Sequence, residues 1–253
     1  MDPELMGTPA TPAPHLLSLV IPLYNEADNI DRLVKGLMEE FDRQGLEYEL
    51  ILVNNGSHDS TPVLLEEWRR RNRRVRVVTV EVNRGYGAGI QAGLRVATGN
   101  IVGFMDGDCQ VLAEDVTRVY RQLIADGLDL AKVRRVIRKD GAERRIISSC
   151  FNILFELMFR TGSRDINGKP KLMRRPALES LNLQSRDWFL DAEIMVKCGA
   201  QGRRIGEVPA VFLQREKQRS HIQPATILEF LKNMWRYWVR APHLYRDRPP
   251  GQG

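Results

Sequence analysis

Short apolar segments alternate with amphipathic ones along the first half of the chain. The apolar runs at residues 16–23, 48–53, 75–82 and 101–105 have the length and composition of buried strands. Between them, apolar residues recur every three to four positions, as at 29–44, which is typical of helices that cover one face of a sheet. Strands that alternate with helices predict right-handed crossovers and a mostly parallel central sheet.

The second half continues the alternation but is more basic. A helix at 113–126 leads to a strand at 129–133, and the basic segment 134–145 contains a turn at Asp140-Gly141. Four further helices and two strands are predicted, namely helices at 146–159, 175–181, 189–199 and 227–245, an edge strand at 171–173 and a strand within 204–213.

Composition narrows the class of protein. A chain of 253 residues with 43% apolar content is large enough for one sizeable α/β domain. Residues 1–15 are rich in Pro, Thr and Ala and lack a hydrophobic centre, so we expect a disordered leader or tag there rather than a signal peptide. No apolar run approaches the roughly 20 residues that a membrane span requires.

The charge of the chain predicts anionic partners. The net charge is +6 and the pI is about 9.4, which suits nucleotides, phospholipid surfaces or phosphorylated acceptors. No basic motif interleaved with aromatic residues is present, so a nucleic-acid partner is not expected.

Three scattered cysteines without zinc-site spacing suit free thiols in a reducing compartment, and we expect a cytoplasmic protein.

Two carboxylates follow the fourth apolar run directly. Asp106 and Asp108 come after Met105, and the amide of Gln110 follows. If the run is a buried strand, these side chains emerge at its carboxyl end, where open α/β sheets bind their ligands. Close carboxylates repel each other and normally need a cation, and oxygen ligands that leave room for diphosphate oxygens suit Mg²⁺ or Mn²⁺. A solvated acidic turn is the alternative.

The order of five motifs resembles a known family. Between Pro22 and Arg215 the chain contains strand–PLYNE, strand–NNGSHDST, NRGYGAGIQAG, ATGN–strand–DGDCQ and EVPAVFLQR. This order resembles the GT-A glycosyltransferases of family 2, and most closely their polyprenyl-phosphate branch, which is dolichyl-phosphate mannose synthase-like. The resemblance implies a single GT-A domain with a Rossmann-like sheet. It also implies an inverting transfer from a nucleotide-diphosphate sugar, with a divalent metal on the diphosphate.

The resemblance divides the domain, residues 16–222, into a nucleotide-sugar half at 16–125 and an acceptor half at 126–222. It implies that Asp106 and Asp108 serve the ribose and the metal, with Gln110 as a further metal ligand. The implied nucleotide-sugar site comprises Pro22, Tyr24, Glu26, Asn55, Arg84, Gly85, Asp106, Gly107 and Arg215.

Two parts of the nucleotide-sugar half invite chemical interpretation. Asn55 stands where the family usually has an aspartate that reads the base. Its one donor and one acceptor complement uracil and could also fit guanine, and we predict a uridine nucleotide in preference. The glycine-rich turn at 83–89 precedes a helix at 90–97, where a helix N-terminus and Arg84 suit an anion.

In the acceptor half, the resemblance implies that Arg134, Arg145 and Asp165 bind the acceptor. Guanidinium groups suit an acceptor phosphate, although a solvated basic hairpin is the alternative for the two arginines. The sequence departs from the family at residues 167–170, where Asn-Gly-Lys-Pro stands in place of the usual Ser-Gly-Phe.

Two further acidic residues bear on the choice of acceptor. Asp191 and Glu193 lie two positions apart and therefore do not share a helix face. One of them could act as the general base for a hydroxyl acceptor, whereas a phosphate acceptor is already anionic and needs none.

The C-terminal segment, residues 223–253, is predicted to form an amphipathic helix and a tail. Its cationic and aromatic character suits peripheral contact with a membrane, while Trp235 and Trp238 could equally pack on the catalytic domain.

These observations support three hypotheses about function. The first is a metal-dependent transfer of a hexosyl group from a UDP- or GDP-sugar to a polyprenyl phosphate, at the inner face of the membrane. The second keeps the donor chemistry but has a soluble hydroxyl acceptor, such as a natural product or a saccharide. The third is a nucleotide-sugar-binding protein without turnover.

Overall fold

Seven strands and eight helices follow one another along the part of the chain that the computed structural model describes, residues 16–138, 142–213 and 224–240. The strands are β1 (Leu17–Leu23), β2 (Tyr48–Asn55), β3 (Val75–Val80), β4 (Ile101–Phe104), β5 (Leu130–Arg138), β6 (Lys171–Arg174) and β7 (Ile205–Phe212). The helices are α1 (Ala27–Arg43), α2 (Thr61–Arg71), α3 (Tyr86–Val96), α4 (Ala113–Ala125), α5 (Ala142–Phe159), α6 (Arg175–Ser180), α7 (Leu190–Ala200) and α8 (Pro224–Arg240).

The strands form one sheet in the order β3-β2-β1-β4-β6-β5-β7. The chain begins at β1, moves outward through β2 and β3, and then returns to the other side of β1 as β4, with parallel pairing throughout. Strand order therefore reverses between β1 and β4, and open α/β sheets bind ligands at the carboxyl ends of strands on either side of such a point. The residues after β4 lie at that position.

The predicted α/β fold with a mostly parallel sheet is confirmed, with one correction. The segment at 171–173 was expected to be an edge strand, but β6 lies between β4 and β5 and pairs antiparallel with both. With only four residues, β6 is too short for its sequence to show the hydrophobic periodicity that distinguishes an edge strand from a central one.

Two hydrophobic layers cover the sheet. Successive residues of β1 point to opposite faces, so Leu19 packs with α1 and α4 while Val20 packs with α3 and α7. Both faces are buried, which explains why β1, β2 and β4 appear as continuous apolar runs rather than as alternating patterns.

Three of the differences from the predicted element boundaries bear on the predicted site residues. β2 continues to Asn55, so both asparagines of the second motif lie at the end of a strand rather than in a loop. α3 begins at Tyr86 and includes two glycines that were assigned to the preceding turn. β5 continues into the basic segment as far as Arg138. The predicted leader, residues 1–15, lies outside the described residues.

Candidate functional site

The carboxyl end of β4 carries the predicted carboxylates on a tight turn. Asp108 accepts a hydrogen bond through Oδ1 from the backbone N–H of Gln110, at 3.1 Å. Cys109, between them, has a φ of 56°, a left-handed conformation that is uncommon outside glycine. Gln110 donates through Nε2 to the carbonyl oxygen of Leu213 at 2.7 Å, and its own carbonyl accepts from the Leu213 N–H at 2.9 Å. These bonds fix the turn to the end of β7.

The side chains on this turn are suitable ligands for a hard cation. Asp106 and Asp108 supply carboxylate oxygens, and the bond from Gln110 Nε2 leaves the amide oxygen as the end that can coordinate. Within the described residues, no group of three or more His, Cys, Asp or Glu side chains forms a metal cage. Carboxylate and amide oxygens are the ligands that Mg²⁺ and Mn²⁺ prefer when substrate phosphates complete the coordination.

A lysine reaches Asp106 from the neighbouring strand. β6 pairs antiparallel with β4 so that Lys171 lies opposite Phe104. Lys169 lies two residues before β6 and Asp106 two residues after β4, which brings both to the same end of this strand pair. Lys169 Nζ lies 3.0 Å from Asp106 Oδ2 and donates to the Tyr86 hydroxyl oxygen at 2.8 Å. The Tyr86 hydroxyl donates to Asp106 Oδ1 at 3.2 Å. Burial raises the pKa of Tyr86 and the charge of Asp106 raises it further, so this hydroxyl keeps its proton.

Asp191 joins the same cluster from α7. Lys171 Nζ contacts Asp191 Oδ1, and Lys169 Nζ lies 3.6 Å from Asp191 Oδ2. Burial of Lys171 lowers its pKa to about 8. Burial alone would raise the pKa of Asp191, but the ammonium groups of Lys171 and Lys169 hold it below its ordinary value. Asp191 is therefore a buried counter-ion and a poor proton acceptor.

Glu193 lies outside this cluster. Its carboxylate accepts hydrogen bonds from the backbone N–H groups of Gln184 and Ser185 at 2.7–3.1 Å and forms an ion pair with Lys197 at 2.6 Å. The side chain is fully buried, and its bonds hold the loop that precedes α7. The structure thus brings Asp191 into the cluster and places Glu193 outside it, and a role of either residue as general base stays a prediction.

An aromatic pair borders the cluster. The rings of Tyr86 and Trp188 stack with centroids 4.5 Å apart and planes 7° apart. Trp188 belongs to the loop before α7, and this loop passes close to the start of α3 at Gly87. A Cβ at Gly87 would lie 2.7–2.9 Å from backbone atoms of residues 185–187, so only glycine allows this approach. The close contact places a flat aromatic surface beside the carboxylates.

The residues predicted to bind the nucleoside lie around the ends of β1 and β4. Pro22 is the penultimate residue of β1, and the Tyr24 ring meets His58 edge-on at a centroid distance of 6.4 Å. Glu26 is buried at the N-terminus of α1, where its Oε2 accepts from the Asn29 side chain at 2.6 Å. A Cβ at Gly107 would overlap the Leu23 side chain, so this glycine lets the acidic turn lie against β1.

Asn55 faces inward rather than toward a cleft. Its Nδ2 donates to Asn83 Oδ1 at 3.3 Å and to the Gly85 carbonyl at 3.2 Å, and it packs against Gly89. The donor that we expected to contact a base is therefore committed to the turn at 83–85, and Oδ1 is buried without a hydrogen-bond partner. The structural reason to prefer uracil over guanine is lost. Arg84, in the same turn, is exposed.

In the acceptor half, Asp165 is committed to Arg135. Arg135 binds the carboxylate through Nε at 2.8 Å and Nη2 at 2.6 Å, and its backbone N–H adds a third bond at 2.9 Å. Burial alone would raise the pKa of Asp165, but Arg135 holds it far below its ordinary range. The neighbouring Arg134 lies 3.8 Å from Glu207, and its side chain is 32% exposed. The side chain of Arg145 and all of Arg215 lie outside the described residues.

Sequence reasoning missed several members of the cluster. Lys169 was noticed as a departure from the family pattern but was given no role, and Lys171 and Tyr86 were not singled out. Lys169 is brought to the site by the pairing of β6 with β4, and no local sequence pattern predicts this pairing. The signal for Lys171 is a charged residue inside an apolar strand, which normally requires a buried partner.

The C-terminal helix α8 has a packed face and an exposed face. Met234 is buried, and Phe230 packs edge-on against Phe151 of α5 at a centroid distance of 4.6 Å. Trp235 and Val239 are exposed, at 59% and 56%. Trp238 packs against the catalytic domain, as one interpretation predicted, whereas contact of the exposed face with a membrane stays a prediction. Across the described segments, no helix has the length and apolarity needed to cross a membrane.

Comparison with known proteins identifies relatives of this chain. Residues 18–181 match the family model described as glycosyl transferase family 2. An undecaprenyl-phosphate 4-deoxy-4-formamido-L-arabinose transferase of Edwardsiella ictaluri is 30% identical over 207 residues, which cover 81% of this chain and 62% of the relative. A dodecaprenyl-phosphate galacturonate synthase of Rhizobium johnstonii is 30% identical over 246 residues, which cover 94% of this chain and 72% of that one. The chain thus spans less than two thirds of the first relative's length.

Solved structures share the fold at lower sequence identity. A glucosyl-3-phosphoglycerate synthase from Mycobacterium tuberculosis, in complex with Mn²⁺, UDP and glucosyl-3-phosphoglycerate, superposes with a TM-score of 0.67 at 19% identity. The match covers 94% of this chain and 82% of that one. A mannosyltransferase from Pyrobaculum calidifontis, in complex with GDP-Man and Mn²⁺, gives 0.58 at 18% identity and covers 91% and 73% of the two chains. The predicted GT-A fold and the resemblance to the polyprenyl-phosphate branch are confirmed.

Proposed function

Because the chain belongs to glycosyltransferase family 2, we propose that it transfers a hexosyl group from a nucleotide-diphosphate sugar to a polyprenyl phosphate. The transfer inverts the anomeric carbon and depends on Mg²⁺ or Mn²⁺. Support comes from two relatives whose names specify polyprenyl-phosphate acceptors, and from structural neighbours that hold UDP or GDP-Man together with Mn²⁺.

The state of Asp191 is the observation that favours a phosphate acceptor. A hydroxyl acceptor needs a general base to take its proton, and such a base works best with a pKa near the working pH. Asp191 is ion-paired with Lys171 and Lys169, which hold its pKa low, and Glu193 is bound to backbone N–H groups. A phosphate monoester already carries its nucleophilic oxygen as an anion, so it reacts without a base.

The residues of the site divide the remaining work. In this proposal Asp106 binds the ribose. Asp108 and Gln110 would hold the cation, which would supply Lewis-acid neutralisation of charge on the leaving diphosphate. The fixed turn at 106–110 keeps these groups in place before substrate binds, which avoids the cost of organising them during the reaction. Arg134 offers its guanidinium to the acceptor phosphate, in the bidentate geometry that suits phosphate oxygens.

Contact with a membrane surface would bring the enzyme to a lipid acceptor. The exposed side of α8 carries Trp235 and Val239 among cationic residues, a pattern that suits the lipid headgroup region. The cationic residues on that side are Lys232, Arg236 and Arg240. We propose peripheral binding through this side and a location at the cytoplasmic face of the membrane.

Transfer to an organic-soluble product tests the proposal. The nucleotide is chosen first by thermal shift with UDP-, GDP- and dTDP-sugars and Mn²⁺, since a ligand of the native state raises the melting temperature. Labelled donor is then incubated with the enzyme, Mn²⁺ and a short-chain polyprenyl phosphate. We expect label in the organic phase. No label is expected there when EDTA removes the metal, or when the matching free polyprenol replaces the polyprenyl phosphate.

Two results would contradict this function. Label transferred to a saccharide or polyphenol but not to lipid phosphate would support the hydroxyl-acceptor hypothesis. If the protein binds the donor but releases no nucleotide with any acceptor tried, the result would support a nucleotide-sugar-binding protein without turnover.

Arg134→Ala is expected to raise the KM for the acceptor about tenfold or more while leaving the KM for the donor within about twofold. The reason is the loss of a charge-assisted contact to the acceptor phosphate, worth roughly 1.5–3 kcal/mol. Initial rates at varied donor and acceptor concentrations measure both constants. Arg70→Ala is the matched control, because Arg70 pairs with Glu66 on the surface of α2. A larger effect on the donor KM would remove Arg134 from the acceptor site.

A further inference from the structure

Lys169 joins the nucleotide-sugar half of the site to the acceptor half. Its loop belongs to the acceptor half, yet its ammonium group bonds to Asp106 and Tyr86 of the nucleotide-sugar half. We propose that Lys169 is a phosphate-binding residue, which leaves Asp106 when substrate binds and donates to a phosphate oxygen of that substrate. The proposal rests on the proposed function, because it takes a phosphorylated substrate at this site as given.

The burial of the cluster separates an inner ion pair from an outer one. Lys171 and Asp191 form the inner pair, with side chains 0% and 2% exposed. Lys169 and Asp106 form the outer pair, with side chains 10% and 27% exposed. The inner pair is closed to solvent, whereas Asp106 of the outer pair is partly exposed on the acidic turn. Only the outer pair can exchange partners with a substrate.

Charge balance gives the reason for the exchange. Lys169 Nζ lies 3.0 Å from Asp106 Oδ2 and 3.6 Å from Asp191 Oδ2, so two carboxylates balance its charge. When Asp106 binds a ribose hydroxyl, its contact with Lys169 weakens. Asp191 then remains as the nearest carboxylate, 3.6 Å away and already paired with Lys171. A buried ammonium group that loses its counter-charge is costly, so an anion from the substrate stabilises it.

The chemistry of the lysine side chain suits this role. An ammonium group on a flexible stem has three donors and can rotate from one acceptor to another without displacing the backbone. One donor already goes to the Tyr86 oxygen, which keeps the ammonium group beside the acidic turn while its other donors change partner. The ring of Tyr86 lies with its centroid 4.4 Å from the same nitrogen and adds cation–π attraction.

A phosphate oxygen could come from either substrate. On the proposed function, the leaving diphosphate of the donor would bind beside Asp106 and Asp108, and Lys169 contacts Asp106 there. The phosphate of the acceptor would come from the acceptor half, where Lys169 contacts Asp191. Lys169 borders both sides, so its position alone fits both sources, and their separate binding affinities distinguish them.

Binding measurements on Lys169→Met, Lys169→Arg and the wild-type chain test the proposal. The donor-side probes are UDP with uridine and GDP with guanosine, in Mg²⁺, and the acceptor-side probes are farnesyl phosphate with farnesol. We expect Lys169→Met to bind at least one phosphate probe about ten- to a hundredfold more weakly, which is the loss of one charge-assisted bond. Binding of the dephosphorylated partner should be unchanged, and Lys169→Arg should recover most of the affinity.

The matched control is Lys197→Met, which removes another largely buried lysine, paired with Glu193 on α7, and should leave all probe affinities unchanged. A loss confined to UDP or GDP assigns Lys169 to the donor diphosphate, and a loss confined to farnesyl phosphate assigns it to the acceptor. Equal affinity of Lys169→Met and wild type for every phosphate probe would overturn the proposal. A loss that is equal for a phosphate probe and its dephosphorylated partner would overturn it too.

The failure of the proposed function has a different signature. A wild-type protein that binds the phosphate probes through Lys169 but transfers no sugar would refute the transferase activity alone. A wild-type protein that binds none of the phosphate probes would refute both.

Discussion

Asp108→Ala should abolish metal-dependent sugar transfer, by about a thousandfold or more, and leave the protein folded. Asp108 is the carboxylate that we assign to the cation, and a cation that neutralises a leaving diphosphate contributes several kcal/mol to the rate, where each ~1.4 kcal/mol is tenfold. Folding should persist because the half-buried carboxylate, which accepts from the Gln110 N–H, lies on a turn rather than in either hydrophobic layer. Rates at saturating donor with varied Mn²⁺ measure the effect.

A second carboxylate provides the control for this experiment. Asp42→Ala removes an exposed aspartate of α1 that pairs with Arg74, and its activity should match wild type. Thermal melting of both variants without ligand shows whether they are folded. Wild-type rates for Asp108→Ala in the presence of EDTA would refute the metal role of this turn.

Asp191→Leu is expected to destabilise the fold by about 3–5 kcal/mol, as removing one partner of a buried ion pair generally does. The variant leaves Lys171, whose side chain is wholly buried, without its carboxylate and takes a second charge from Lys169. Denaturant unfolding of the variant and the wild type measures the loss of stability. If Asp191 were only a catalytic base exposed to substrate, the variant would lose activity and keep its stability.

A double variant separates the ion pair from the shape of the site. Asp191→Leu combined with Lys171→Met replaces both charges with apolar groups, so it should recover a large part of the lost stability. Glu179→Ala, which removes an exposed partner of Arg175 on α6, should change stability little. A double variant no more stable than Asp191→Leu would mean that packing, rather than the unpaired ammonium group, causes the loss.

The sequence determined the order and the type of the elements. Apolar runs predicted β1, β2 and β4 within about two residues at each end, and the period of α1 was visible as well. These patterns are local, because a strand buried on both faces of a parallel sheet is a continuous run of apolar residues. The position of Asp106 and Asp108 could be predicted for the same reason. The apolar run of β4 is visible in the sequence, and the two aspartates directly follow its last residues.

The structure decided which residues meet at that end. Nothing near Lys169 in the sequence indicates that β6 inserts between β4 and β5, and this insertion sets Lys169 opposite Asp106. Asn55 shows the converse, because its place in the motif predicted contact with a base and the close approach of α3 turned it inward. The partners of Glu193 were equally hidden, since they are backbone groups of a loop eight and nine residues away.

The chain by itself thus specified a mostly parallel α/β sheet with an acidic turn at the carboxyl end of one strand, because hydrophobic periodicity and strand ends are properties of neighbouring residues. Tertiary structure alone decided the charge network of that site, in which two lysines neutralise the carboxylates of Asp106 and Asp191. The physical reason is that ion pairs form between groups that strand pairing brings together, and the register between distant strands is fixed only when the whole sheet assembles.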